Sequence, residues 1–239
     1  MMTRFHNKPH QQGAALILMA LSLVFAFMIV LASIPHINKK DILLQQRKDN
    51  KHQIKNIKSA LYGFILNEGS SPPLGSKTFR LPCPDINGDG TEDILAGACQ
   101  QASGTLPWLT LSIPASDNWS QDFIYHVSPA FADTNASFSN ASFNNASLGQ
   151  IFVYDSSTLT TLLQNDIAVL LLSQGVPRNG QSIHELENSD GDLNYVSRAV
   201  STISPDEFND HLTWITRSDL VTFLCDQAFP TEGLPNCPP

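Results

Sequence analysis

"GAALILMALSLVFAFMIVLASIP", residues 13–35, follows the polar leader MMTRFHNKPHQQ and carries no charge between Ala14 and Ile34. The reading of this stretch decides the architecture of the chain. Its twenty-one uncharged residues, taken as a helix, span about 30 Å, the hydrocarbon thickness of a bilayer. A secretory signal has a shorter apolar core, roughly 7–15 residues, with a small-residue cut site behind it. Val30 and Ala32 would tolerate a cut after Ala32. Three readings therefore stand: a cleaved secretion signal, a simple membrane anchor, or a helix that assembles with others. Arg4 and Lys8 precede the run with no acid beside them, a bias that keeps the N-terminus cytoplasmic and sends the rest outward. The expectation is one transmembrane span over residues 14–34.

Charge is distributed unevenly. The chain has 239 residues and a net charge of -8, long enough for one medium domain plus an attached helix. Residues 39–58 hold seven Lys/Arg and two Asp, whereas from Ser59 onward five Lys/Arg face twenty Asp/Glu. So acidic a body argues against nucleic acid as a partner, because phosphate neutralisation needs clustered cations. The basic stretch, just past the apolar run, suits either anionic headgroups or a solvated helix face.

The four cysteines, Cys83, Cys99, Cys225 and Cys237, fall into two close pairs. An even count behind an export-type N-terminus predicts an oxidising compartment and two disulfides. Three pairings are open, with Cys83–Cys99 and Cys225–Cys237 the local ones. Zinc is the competing reading, but no CxxC and no nearby His pair is present.

Beyond Pro35, Ile54, Ile57, Leu61, Phe64 and Ile65 recur at three- and four-residue steps, one apolar stripe on a helix. Gly69 and Pro72-Pro73 end it. Together with the apolar run this predicts a rod from Ala14 to about Asn67, near 80 Å at helical rise. The alternative is two helices separated at Pro35. From Thr78 the pattern shortens. "DFIYHV" (122–127) and "IFVYD" (151–155) read as strands, as does "DIAVLLLSQG" (166–175), while "DEFNDHLTWIT" (206–216) has helical spacing at Phe208, Leu212 and Ile215. A strand over Leu212–Ile215 is its alternative. "NASFSNASFNNAS" (135–147) reads as a polar surface loop. The fold class is α+β: a long N-terminal helix packed on a small antiparallel-sheet head with two disulfides.

"DINGDGTED" (85–93) sets Asp85, Asn87, Asp89 and Asp93 at alternate positions, with the Thr91 carbonyl between and Gly90 at the turn. Calcium takes several hard oxygens at this spacing around a glycine turn. Ala96 stands where a full EF-hand has its glutamate, so the shorter calcium loops of extracellular modules are the nearer likeness. An Asx-rich turn without metal is the alternative. "ENSDGDLN" (187–194) alternates Asn188, Asp190, Asp192 and Asn194 and reads as a solvated loop. His126, His184 and His211 are scattered, and no HExxH, G-x-S-x-G or phosphate loop occurs. No enzyme is expected.

Gly13 at the border of the apolar run, with Pro35 twenty-two residues on, resembles the N-terminus of type IV pilins and type II secretion pseudopilins. The resemblance implies a leader, residues 1–13, cut after Gly13 by a prepilin peptidase that methylates Ala14. It also implies a long helix over 14–68 and a periplasmic or extracellular head over 69–239. Leu18 stands where the family has a glutamate, which that resemblance assigns to a minor, priming or tip subunit. "RLPCPDINGDGTED", "GTLPWLTL" and "VSRAVSTISPDEFNDHLTWI" are similar to stretches of prepilin-like proteins, in which a tryptophan after LP and an acidic stretch ending in tryptophan recur. Here these fall at Trp108 and at Phe208, Asp210 and Trp214. "CDQAFPTEGLPNC" (225–237) is similar to the disulfide-closed terminal loop of pilins. The expected function is subunit assembly into a pilus or pseudopilus, from a single-pass position in a bacterial inner membrane. The expected partners are other pilin subunits, the peptidase and the membrane, with calcium as cofactor. The alternative is a tethered, calcium-stabilised binding module.

Overall fold

A computed structural model describes residues 12–33, 39–68, 80–132, 151–177 and 180–226. The chain divides into two compact units, residues 1–45 and 46–239.

The first unit contains helix α1, Gln12–Ser33. Ten large apolar side chains between Ile17 and Ile29 are exposed, from 56 % at Ile29 to 70 % at Phe25. Among the described residues, no helix is long and apolar enough to cross a membrane. This corrects the expected single-pass inner-membrane span over 14–34 and the periplasmic placement of the head that followed from it. Helix α2 runs over Lys39–Glu68, and residues 34–38, where the expected rod would join it to α1, lie outside the described residues. Pro35 lies outside the described residues.

In the second unit α2 does what its stripe predicts. Ile54, Ile57, Leu61 and Ile65 are at most 4 % exposed and Phe64 is half-buried. They pack with Tyr125, Val127, Val169, Leu171 and Ile215 in one core. Those partners come from a four-stranded antiparallel sheet in the order β3 (Ser103–Thr105), β4 (Ile124–Val127), β7 (Ile167–Ser173), β9 (His211–Thr216). Asn50 is the polar exception on the buried side of α2. Its Nδ2 donates to Ser173 Oγ at 3.0 Å, and that hydroxyl donates to Asp117 Oδ2 at 2.6 Å. The bonds tie helix, strand end and loop together without burying an unpaired carboxylate.

A second core lies on the other face of that sheet. Ile151, Val153, Tyr195, Val196, Phe208 and Leu212 meet Ile167, Leu170 and Leu172 there. Its cover is a mixed sheet of β6 (Leu162–Gln164), β5 (Phe152–Tyr154) and β8 (Asn194–Val196), with β5 antiparallel to β6 and parallel to β8. Every residue of β7 is buried, which is why its sequence reads as an unbroken apolar run instead of an alternation. Val169 and Leu171 face the first core, Leu170 and Leu172 the second. The register shifts between Ile167 and Val169, and there the assignment inverts: Ala168 joins the first core and Ile167 the second. One bulge residue has exchanged the faces.

The remaining elements are a short hairpin, β1 (Ile94–Leu95) with β2 (Ala98–Cys99), the five-residue α3 (Ile183–Glu187) and α4 (Arg217–Asp226). The helix expected over 206–216 does not form: His211–Thr216 is the strand β9, the alternative held open over Leu212–Ile215, and 206–210 lead into it outside any helix. Phe208 and Leu212 enter the second core while Ile215 enters the first, so the helical spacing is coincidental. Thr213, Trp214, Ile215 and Thr216 favour a pleated surface. Asp210 is 5 % exposed. Of the two expected disulfides, one is formed between described residues, Cys83–Cys99, with Cα atoms 5.2 Å apart. Cys225 is not a free thiol, and Cys237 and the 135–147 repeat lie outside the described residues.

Candidate functional site: two Asx loops at one cleft

Residues 80–93 are built around fixed charges. Arg80 and Glu92 form a two-pronged ion pair, 2.6 and 2.7 Å, and Glu92 Oε2 also accepts from the Cys83 backbone N–H. The Arg80 guanidinium lies 5.1 Å from the centroid of the Phe64 ring, which joins the loop to α2. The Cys83–Cys99 bridge closes the other side. Gly90 has φ +85°, and a Cβ there would meet Trp108 Cε2 at 2.4 Å. The tryptophan after the LP pair is therefore the lid of the glycine turn. Leu109 and Thr110 donate their N–H groups to the Gly90 carbonyl.

Inside this frame the carboxylates turn inward on their own backbone. Asp85, 1 % exposed, accepts from the N–H groups of Asn87 and Gly88 on Oδ1 and of Gly90 on Oδ2. Asp93 accepts from Ile86 N–H and from the Asn87 amide. Asp89 accepts from both the N–H and the hydroxyl of Thr91, which hold its carboxyl below the usual range. The loop is thus a ladder of Asx turns. Asn87, Asp89 and Thr91 stay exposed, as a calcium loop requires. Asp85 and Asp93 spend their oxygens on N–H donors, and the three carboxylates do not converge within 4.8 Å. Among the described residues the trio that does is Glu187, Asp190 and Asp192.

That trio spans the end of α3 and the loop to β8, a stretch whose spacing reads as a solvated loop with metal binding as its alternative. Burial first, then Asp190 and Asp192, raise the Glu187 carboxyl above its usual range. Asn188, 3 % exposed, fixes the loop: its amide donates to the Val196 carbonyl and to Asp210 Oδ2, and its oxygen accepts from Val196 N–H. Asp210 thereby anchors this loop. Asp190 and Asp192 cap the backbone two residues on. Three carboxylates, the two aspartates exposed and Glu187 half-buried, offer fewer oxygens than the six to eight calcium takes.

The two loops share a cleft of about 560 Å³. Asp85, Asn87 and Gly88 line one wall, Asn188, Ser189 and Gly191 the other, and Tyr195 contributes its ring. The Tyr195 hydroxyl is 3.1 Å from His126 Nδ1. Burial, then Asp192 and Asp190, push the phenol up to about 12, and burial lowers the imidazole to about 4. At neutral pH both are uncharged and share one buried hydrogen bond. Sequence reading passes over Tyr195 and names Asn188 only as one of an alternating polar set, since only folding brings the two to the cleft that Asp85 lines. His184 is placed elsewhere: its Nδ1 accepts from Ser157 N–H, and Asp206 lies 3.7 Å from Nε2. His211 is lowered by burial and then by Lys51.

Gly13 and Ala14 lie in α1, and Leu18 is 67 % exposed on it. No family model, curated protein or solved structure matches this chain.

Proposed function

We propose that this chain is a pilin-like subunit, of the minor, priming or tip kind, that works by assembly after a prepilin peptidase cuts behind Gly13. The observation that carries the reading is α1. It presents ten exposed large apolar side chains around its circumference between Ile17 and Ile29. A helix apolar on all sides has to be covered by other apolar surface. A bundle of like helices supplies it. Leu18, in the position of the family's glutamate, adds an apolar contact where a standard subunit has a carboxylate. The head supports the reading with α2, whose stripe is buried on an antiparallel sheet. Mass spectrometry of the mature N-terminus tests it. Methylated Ala14 is the expected result; an intact start, or a terminus near Ser33, overturns the proposal.

A calcium ion at Asp85, Asn87, Asp89, Thr91 and Asp93 is proposed on their oxygen spacing, at the cost of N–H bonds that now satisfy all three carboxylates. Melting the full chain in millimolar calcium and then in chelator decides it. A rise of several degrees with calcium is expected, lost in Asp89→Ala; no shift removes the ion.

A further inference from the structure

The positive charge of the head is concentrated on one helix face. Lys48, Lys51 and Lys55 are exposed on α2, at three- and four-residue steps and thus on one side. That side flanks the buried stripe of Ile54, Ile57 and Leu61. None of the ion pairs seen among the described residues reaches it: Arg80 is held by Glu92 and Arg217 by Asp166. Lys58 is also occupied, donating to the Trp214 carbonyl at 2.9 Å. Beside the stripe runs a groove of about 400 Å³ whose lining includes His52, Gln53, Asn56, Ile113 and Pro114. The rest of the head is strongly acidic, with twenty Asp/Glu against five Lys/Arg from Ser59 onward. Among the described residues Glu187, half-buried, and the exposed Asp190 and Asp192 crowd their carboxylates within 4.8 Å of one another and repel.

We propose that the lysine face of α2 docks on the acidic loop 187–192 of a second copy of this chain. Charge complementarity selects the occupant. The unpaired cations and the crowded anions are both on the head, and each is the complement the other lacks. Because the two patches differ, the contact is head-to-tail, and it repeats from copy to copy instead of closing on itself. A strongly asymmetric charge distribution also orients approaching copies before contact. The inference deepens the assembly reading by giving the head a partner surface. It uses a surface other than α1, so the two can fail separately.

The test is a charge exchange on the full chain, in a zwitterionic detergent that covers α1, read by sedimentation velocity. Wild type associates and loosens about tenfold as salt shortens the Debye length from ~30 to ~8 Å. K48E/K51E/K55E is monomeric, because its stripe now matches its acidic loop. E187K/D190K/D192K is monomeric for the converse reason. An equal mixture of the two associates again, since each carries the complement of the other. Should either triple variant fail to melt like wild type, the K55E and E187K pair repeats the exchange. Two folded variants that stay monomeric on mixing, or a wild type that stays monomeric at low salt, overturn the docking. With α1 covered throughout, that result leaves the processing of Ala14 and the α1 reading untouched.

Discussion

At the scale of the residue, Gly90 shows how tightly the Asx loop is specified. Its φ of +85° suits glycine, and the Trp108 ring occupies the space a Cβ would need. Gly90→Ala is expected to lower stability by about 2–4 kcal/mol, measured by urea unfolding, because strain and clash add. Arg80 is a second such residue. Arg80→Ala strands Glu92 beside the Cys83 N–H with no cation, and a loss of about 3–5 kcal/mol is expected in the same assay. His126 makes the fold sensitive to acid. Burial lowers its pKa from 6.5 to about 4. Between these values the unfolded chain binds a proton that the folded chain refuses. Stability is therefore full above the higher value and falls as pH drops toward the lower one, by about 3 kcal/mol from this group. His211 shifts in the same direction. Melting from neutral pH down to about pH 4 should show this slope, and His126→Phe should flatten it.

At the scale of the element, α2 was legible because its period is simple: one face, one core, steps of three and four. Leu61→Ala there should cost about 2–5 kcal/mol, while Ser59→Ala on the exposed side should stay within about 0.5 kcal/mol; thermal melts of the two variants compare them directly. The strands at 124–127 and 152–154 were readable from β-branched and aromatic content. Residues 206–216 were not, because a strand whose residues feed two cores can imitate a helical repeat. The cleft was half legible. The spacing of Asp85, Asn87 and Asp89 identified a turn, yet whether its oxygens face an ion or their own N–H groups depends on loop closure. The 187–192 loop gained its weight from Asn188 and Asp210, twenty-two residues apart in sequence, a pairing no local pattern announces. The apolar run was read as a span, whereas the described residues contain no helix long and apolar enough to cross a membrane.

At the scale of the whole molecule, the division at residues 45 and 46 separates two kinds of failure. Substitutions in α1, such as Phe25→Ser, should weaken assembly in a pelleting assay while leaving the head's melting point within a degree or two, since distant sites act additively. The second unit should behave otherwise, and the reason is β7. Its side chains alternate between the two buried clusters, with neither face turned to water. It acts as a party wall between two rooms: damage on either side reaches the same seven residues. Leu171→Ala and Leu170→Ala, though they point into opposite clusters, should each lower one common transition instead of splitting the melt into two steps.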